Sequence, residues 1–161
     1  MKGFRYLLTA QFLSALVDNM ILFVAQAIIL RDSFPAWYLQ LVQATFLLAY
    51  IILSPWAGRF ADRFAKRLVL VVGNGVKCLG VSLLLAGLNP AACYAVVGVG
   101  AVLYSPAKYG ILPWLTSSDQ QLLHANSRVE GYTILAILAG AVVGGWLADH
   151  SIVLALVSCI L

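Results

Sequence analysis

Long apolar runs separated by short polar or basic segments dominate this chain. A helix of about 20 residues crosses the hydrocarbon core of a bilayer, and five runs reach that length: 6–30, 37–58, 68–88, 92–112 and 129–148. Asp18 is the sole charge of the first run, and the second has none. Lys77 and Lys108 are the sole charges of the third and fourth, and Glu130 stands at the opening of the fifth. A sixth run begins at Ser151 and is still apolar at Leu161, about half a crossing. A helix ending at mid-bilayer would strand its last carbonyls in hydrocarbon, so the chain is expected to be the front part of a longer protein. No cleavable signal peptide is expected, because the first run is longer than a typical h-region and lacks a small-residue cleavage site.

Composition agrees with the pattern. Of 161 residues, 63% are hydrophobic and 10% charged, whereas a water-soluble domain is about a quarter charged. A soluble globule and a disordered chain are both excluded. The net charge of +4 follows the connecting segments, expected at 31–36, 59–67, 89–91, 113–128 and 149–150. With the N-terminus inside, Lys2, Arg5, Arg59, Arg63, Lys66, Arg67 and Arg128 lie on the cytoplasmic side and Arg31 alone on the other. That bias predicts a multi-pass membrane protein with a cytoplasmic N-terminus, its basic excess meeting anionic lipid and not nucleic acid.

Polar residues at helical spacing inside such runs point away from lipid. Gln11, Ser14 and Asp18 share one face of the first helix. A carboxylate at that depth costs about 3 kcal/mol on insertion scales. Asp18 is therefore either a neutral group bonded to a neighbouring helix or part of a substrate or ion pathway. Gln40, Gln43, Tyr50 and Ser54 share a face of the second helix, and Asn74 and Lys77 lie at i, i+3 on the third. Lys77 is too deep to snorkel fully, so it pairs with an acid or meets an anionic substrate group. Lys108, beside Ser105 and Pro106, lies near a helix end and can snorkel. Pro106 is expected to kink or interrupt its helix. Glu130 is placed in the first turn of the fifth helix, where the dipole favours a carboxylate. Gly131, Gly140 and Gly144 are expected to let that helix approach a neighbour closely. Cys78, Cys93 and Cys159 suggest neither disulfide nor metal site. His124 and His150 form no metal or nucleophile pattern with the acids. No enzyme chemistry, metal or cofactor is expected.

Two helix ends resemble each other. The second closes Gly58-Arg-Phe-Ala61-Asp62 and the fifth Gly145-Trp-Leu-Ala148-Asp149, at what should be opposite membrane faces. An inverted three-plus-three repeat produces that relation. It divides the chain at 1–90 and 91–161, the second unit incomplete.

The segment Gly58-Arg-Phe-Ala-Asp62-Arg63-Phe-Ala-Lys66-Arg67 resembles the loop between helices two and three of the major facilitator superfamily, with Phe60 for the usual Leu and Ala65 for the second Gly. Gly131, Gly140 and Gly144 are similar to its fifth-helix glycine motif, with Gly145 in place of Pro. The stretches Ala10-Gln-Phe-Leu-Ser-Ala-Leu-Val-Asp18-Asn19, Asn74-Gly-Val-Lys77, Tyr104-Ser-Pro-Ala-Lys108-Tyr-Gly-Ile-Leu, Ala125-Asn126 and Glu130-Gly resemble the bacterial lysophospholipid transporters in the same order. This resemblance implies an all-α membrane fold in which the chain is the N-terminal six-helix bundle, with five full spans and a truncated sixth. The whole carrier would have about twelve helices, its C-terminal bundle absent here. It implies movement of lysophosphatidylethanolamine from the outer to the inner leaflet by alternating access. An acyltransferase and acyl carrier protein would then act in reacylation. Asp18, Asn19, Gln11, Ser14, Gln43, Asn74, Lys77, Lys108 and Glu130 would line the substrate path and charge network. Gly58, Asp62, Arg63, Lys66 and Arg67 would form a cytoplasmic latch. The alternative is another carrier of the superfamily, for drug efflux or small-solute transport, distinguished by whether the substrate needs an acyl chain.

Overall fold

A computed structural model describes residues 2–160 as six helices: α1 (Lys2–Arg31), α2 (Trp37–Arg63), α3 (Lys66–Leu85), α4 (Pro90–Leu115), α5 (Asp119–His150) and α6 (Ile152–Ile160). The first five are long and apolar enough to cross a membrane. On α2, the exposed Trp37 and Trp56 are 19 residues apart, about 28 Å of helix. That matches the hydrocarbon thickness, a spacing suited to an aromatic ring at each interface.

The turns between helices are tight and capped. At the end of α3, Gly87 adopts φ +79°. Leu88 N–H donates to Leu83 O and Gly87 N–H to Leu84 O, which satisfies two terminal carbonyls. Ser33, at φ 57°, closes α1 the same way, with Phe34 N–H donating to Ile29 O and Ser33 N–H to Leu30 O. Asn89 caps α4 through Ala91 and Ala92 N–H, with Pro90 at the first turn, where its missing N–H costs nothing.

Four expectations about boundaries change. The expected 113–128 loop shrinks to residues 116–118, because Ser118 Oγ accepts from Gln121 N–H while Gln121 Oε1 accepts from Ser117 N–H. That reciprocal cap starts α5 ten residues before the apolar run. Glu130 therefore lies well inside α5, far from its positive end. The expected 59–67 loop is mostly helix, with only residues 64–65 between α2 and α3, and α5 continues through His150. Finally, α4 runs unbroken through Pro106.

α1 packs along α5 as extensively as α2 packs along α4, and α3 lies against α4. Exchanging α1 with α4 and α2 with α5 converts the first two pairings into one another, as an inverted three-plus-three arrangement requires. The repeated helix endings share one register. Phe64 N–H donates to Phe60 O after α2, and Ser151 N–H to Leu147 O after α5.

The largest core, around Ile21, Val24, Val42, Val81, Val97 and Leu156, ties α1, α2, α3, α4 and α6 together. Glycines bring α3 and α4 closest: a β-carbon on Gly100 would lie 2.5 Å from Gly73 O and 2.6 Å from Lys77 Cγ. Gly140 and Gly144 do the same for α5 against Leu16 and Met20 of α1, whereas Gly131 faces open space and is not a packing glycine. Leu47, Leu48, Ile51 and Ile52 of α2 and Leu135, Leu138 and Val142 of α5 are exposed. That much outward apolar surface requires a lipid or protein cover.

Candidate functional site

Helices α1, α2, α4 and α5, with Lys77 of α3, line an open cavity of about 460 Å³. Gln11, Ser14, Asp18 and Asn19 contribute from α1, Gln43 and Tyr50 from α2, Lys77 from α3, Lys108 from α4 and Thr133 from α5. Periodicity explains the α1 wall, since residues three and seven apart share one face.

The centre of the site is an ion pair. Lys77 Nζ donates to Asp18 Oδ2 at 2.7 Å and to Ser14 Oγ at 2.9 Å, with the Tyr104 ring centroid 4.8 Å away. Lys77 is only 5% exposed, so of the two readings open for it, pairing with an acid is the one observed. Ser14 Oγ in turn donates to Asn74 Oδ1 at 3.4 Å. Asn74 is exposed and stays off the cavity wall, lining a second cleft among α1, α3 and α6 that Ser14, Asp18 and Lys77 also line.

Lys108 does not snorkel. It is 7% exposed, because α4 continues seven residues past it and its ammonium lies over the Tyr109 ring, 4.3 Å from the centroid. Among the described residues it makes no ion pair. The Tyr109 hydroxyl donates to Glu130 Oε1 and links α4 to α5 beside the cavity, while Glu130 itself lies outside the lining. The cavity thus holds one ion pair and one buried cation that makes no ion pair among the described residues, with the Glu130 carboxylate close enough to act on it through charge.

Three buried polar atoms there lack a hydrogen-bond partner: Gln11 Oε1, Asp18 Oδ1 and the Tyr104 hydroxyl. Orphaned groups of this kind are rare in a finished core. All three residues line this one cavity.

Gln40 and Ser54, which share the predicted stripe with Gln43 and Tyr50, lie off the lining. The Gln40 amide turns back to the first turn of α2. Tyr94, Tyr104 and Thr133 line the cavity although no polar stripe had singled them out. Only Tyr94 carried a periodic signal, recurring with Ala101, Ser105 and Lys108 at intervals of seven, four and three on α4.

At the α2–α3 turn, Lys66 Nζ donates to Ala61 O at 2.6 Å and to Asp62 Oδ1 at 3.0 Å. Its stem would meet a β-carbon placed on Gly110 of α4. Arg63 and Arg67 are exposed and make no ion pair among the described residues, and Gly58 has open space beside it. Of the five latch candidates, only Asp62 and Lys66 are joined to each other among the described residues.

The family model described as Major Facilitator Superfamily matches residues 7–160. Curated relatives named "Lysophospholipid transporter LplT" include one from Escherichia coli O1:K1, 47% identical over 160 residues. Those from Citrobacter koseri and Salmonella typhimurium (strain LT2) are 46% identical over the same length. Each alignment covers 99% of this chain and 40% of the relative, so the chain spans about 40% of the length of the relatives it matches.

Proposed function

The chain belongs to the major facilitator superfamily, and from that premise we propose that it forms the N-terminal bundle of a lysophospholipid carrier. Residues 1–90 and 91–161 are its two inverted repeats. The whole protein moves lysophosphatidylethanolamine from the outer to the inner leaflet of the bacterial inner membrane, with the N-terminus in the cytoplasm. Rocking of this bundle against a second one provides alternating access. Reacylation by an acyltransferase drawing on acyl carrier protein consumes the product.

The observation that carries this reading is Lys108, a buried cation with no ion-pair partner among the described residues. A buried charge without a contact ion pair is costly, and an incoming phosphate supplies one. Lys77 is already neutralised by Asp18, which leaves the phosphate to Lys108. The unpartnered Asp18 Oδ1 accepts from the headgroup ammonium. Gln43 and Asn19 complete the polar wall, and the acyl chain remains against lipid or an apolar groove. Asp62 and Lys66, with Gly58, Arg63 and Arg67 alongside, form the cytoplasmic latch.

Uptake of labelled lysophosphatidylethanolamine by spheroplasts making the whole gene product tests the proposal. Lys108→Gln is expected to lower uptake about tenfold or more, the loss of a charge-assisted hydrogen bond, at unchanged protein level in the membrane. Equal transport of glycerophosphoethanolamine, which has no acyl chain, would overturn the lipid reading.

A further inference from the structure

Gln11 is 4% exposed, and its amide is held in one orientation. Thr133 Oγ1 donates its only proton to Val129 O at 2.8 Å, so toward Gln11 it can only accept. It does so from Gln11 Nε2 at 2.9 Å. The amide therefore keeps its NH₂ on α5 and leaves Oε1 a buried acceptor without a partner, in a residue that lines the cavity. A ligand occupying the cavity completes that acceptor by bringing a donor.

Depth identifies which donor. Gly3 of α1 and Leu115 of α4 sit side by side, a β-carbon on Gly3 falling 3.3 Å from Leu115 Cδ2. From that common level, Gln11 is eight residues along α1 and Lys108 seven residues back along α4, about 12 and 10 Å. An unpartnered cation and an unpartnered neutral acceptor thus share one depth of one cavity. The matching ligand carries a phosphate with a hydrogen-bond donor a few bonds away. A lysophospholipid has two such donors, each two carbons from the phosphoester oxygen: the free glycerol hydroxyl and the headgroup ammonium. The ammonium suits the carboxylate of Asp18, and the neutral hydroxyl suits the neutral amide.

We propose that Gln11 reads the free glycerol hydroxyl, the group that separates a lysophospholipid from its diacyl parent. Gln11 Oε1 accepts from that hydroxyl while Lys108 holds the phosphate, and Thr133 is the positioning residue that keeps the amide turned. A site built around a substrate hydroxyl rejects an analogue lacking it, because the buried acceptor is then left unpaired. The inference rests on the lysophospholipid reading given above. Uptake of the natural lysolipid by the unaltered protein tests that reading, and only the ratio between analogues tests this one.

The experiment compares competition for uptake by 1-acyl lysophosphatidylethanolamine and its 2-deoxy analogue in cells making the whole gene product. The unaltered protein is expected to prefer the hydroxyl compound about tenfold or more. Gln11→Leu, which keeps the side-chain bulk, should bring the two within about twofold by weakening only the hydroxyl compound. Thr133→Val should give an intermediate ratio and Thr133→Ser the unaltered one. An equal fall for both compounds in Gln11→Leu would make Gln11 a packing residue and overturn the proposal. So would a preference lost between ammonium and trimethylammonium headgroups with the deoxy ratio unchanged, which would assign Gln11 to the headgroup.

Discussion

Lys77 and Asp18, 59 residues apart in the chain, meet Nζ to Oδ2 at 2.7 Å in the middle of the bundle. The pair joins α1 to α3 across a place where each charge alone would be intolerable. It also shapes the electrostatics of the cavity, because it pairs two of the lining charges with each other and leaves Lys108 the lining cation without an ion pair among the described residues. Gly100 makes the geometry possible: Lys77 Cγ stands where a side chain on that residue would begin.

Breaking the pair from one side is predicted to be worse than removing it. Asp18→Asn or Lys77→Met alone leaves a buried charge unmatched, a cost of about 3 kcal/mol. The double replacement should recover much of that, because its members are coupled. Thermal unfolding of the detergent-solubilised protein measures both. Additive single and double effects would mean the ion pair contributes nothing to folding. Transport should fail in all three variants, since the double one still lacks the Asp18 carboxylate.

Glycines that look alike in sequence are predicted to separate sharply. Gly100→Ala places a β-carbon against the backbone of Gly73 and the stem of Lys77, and such overpacking costs about 1–3 kcal/mol. Gly131→Ala meets nothing within 4 Å and gains helix propensity, about 1 kcal/mol. The midpoint of thermal unfolding should therefore fall in the first and hold or rise in the second. A matching fall in Gly131→Ala would show that its open face is covered in the membrane.

The long runs and their lone charges were legible because length and hydropathy are local properties, and Asp18 and Lys77 advertised their depth by lacking charged neighbours. The start of α5 was legible too, but polar composition concealed it. Ser118 and Gln121 form the cap, and Leu122, Ala125 and Val129 follow at helical spacing. The burial of Lys108 was not legible, because it depends on the Tyr109 ring beside it and on the further course of α4. Gly73 and Gly80 lie seven apart on the Lys77 face, a signal as periodic as that of Gly140 and Gly144, yet no spacing rule separates them from Gly131. That difference exists only once α4 and α1 are in place.

Orientation can be checked at two turns. Positive charge favours the cytoplasmic side for the ends that carry Arg59, Arg63, Lys66, Arg67 and Arg128. A cysteine placed at Ser117 is thus predicted to react with a membrane-impermeant maleimide only in inverted vesicles. One placed at Ser33 should react in intact spheroplasts. Native Cys93 and Cys159 are buried and Cys78 half-buried, so a background in which all three are serine isolates the signal. Labelling of Ser117→Cys from the periplasm would invert the topology.

Tyr109 offers a way to ask what holds Lys108 inside. Its ring lies under the ammonium and its hydroxyl is bonded to Glu130, so two interactions can be removed one at a time. Tyr109→Phe keeps the cation–π contact, which is worth about 1–2 kcal/mol when desolvated, and loses only the link to α5. Tyr109→Leu loses both. If the ring confines the ammonium to the cavity, Tyr109→Leu should raise the half-saturating lysolipid concentration about tenfold, approaching Lys108→Gln, while Tyr109→Phe stays within about threefold of the unaltered protein. The Lys108→Gln, Tyr109→Leu double variant should be no worse than Lys108→Gln alone, because the ring acts through the cation it holds. An additive loss in the double variant would instead place the Tyr109 effect in the α4–α5 contact, with the phosphate site independent of it.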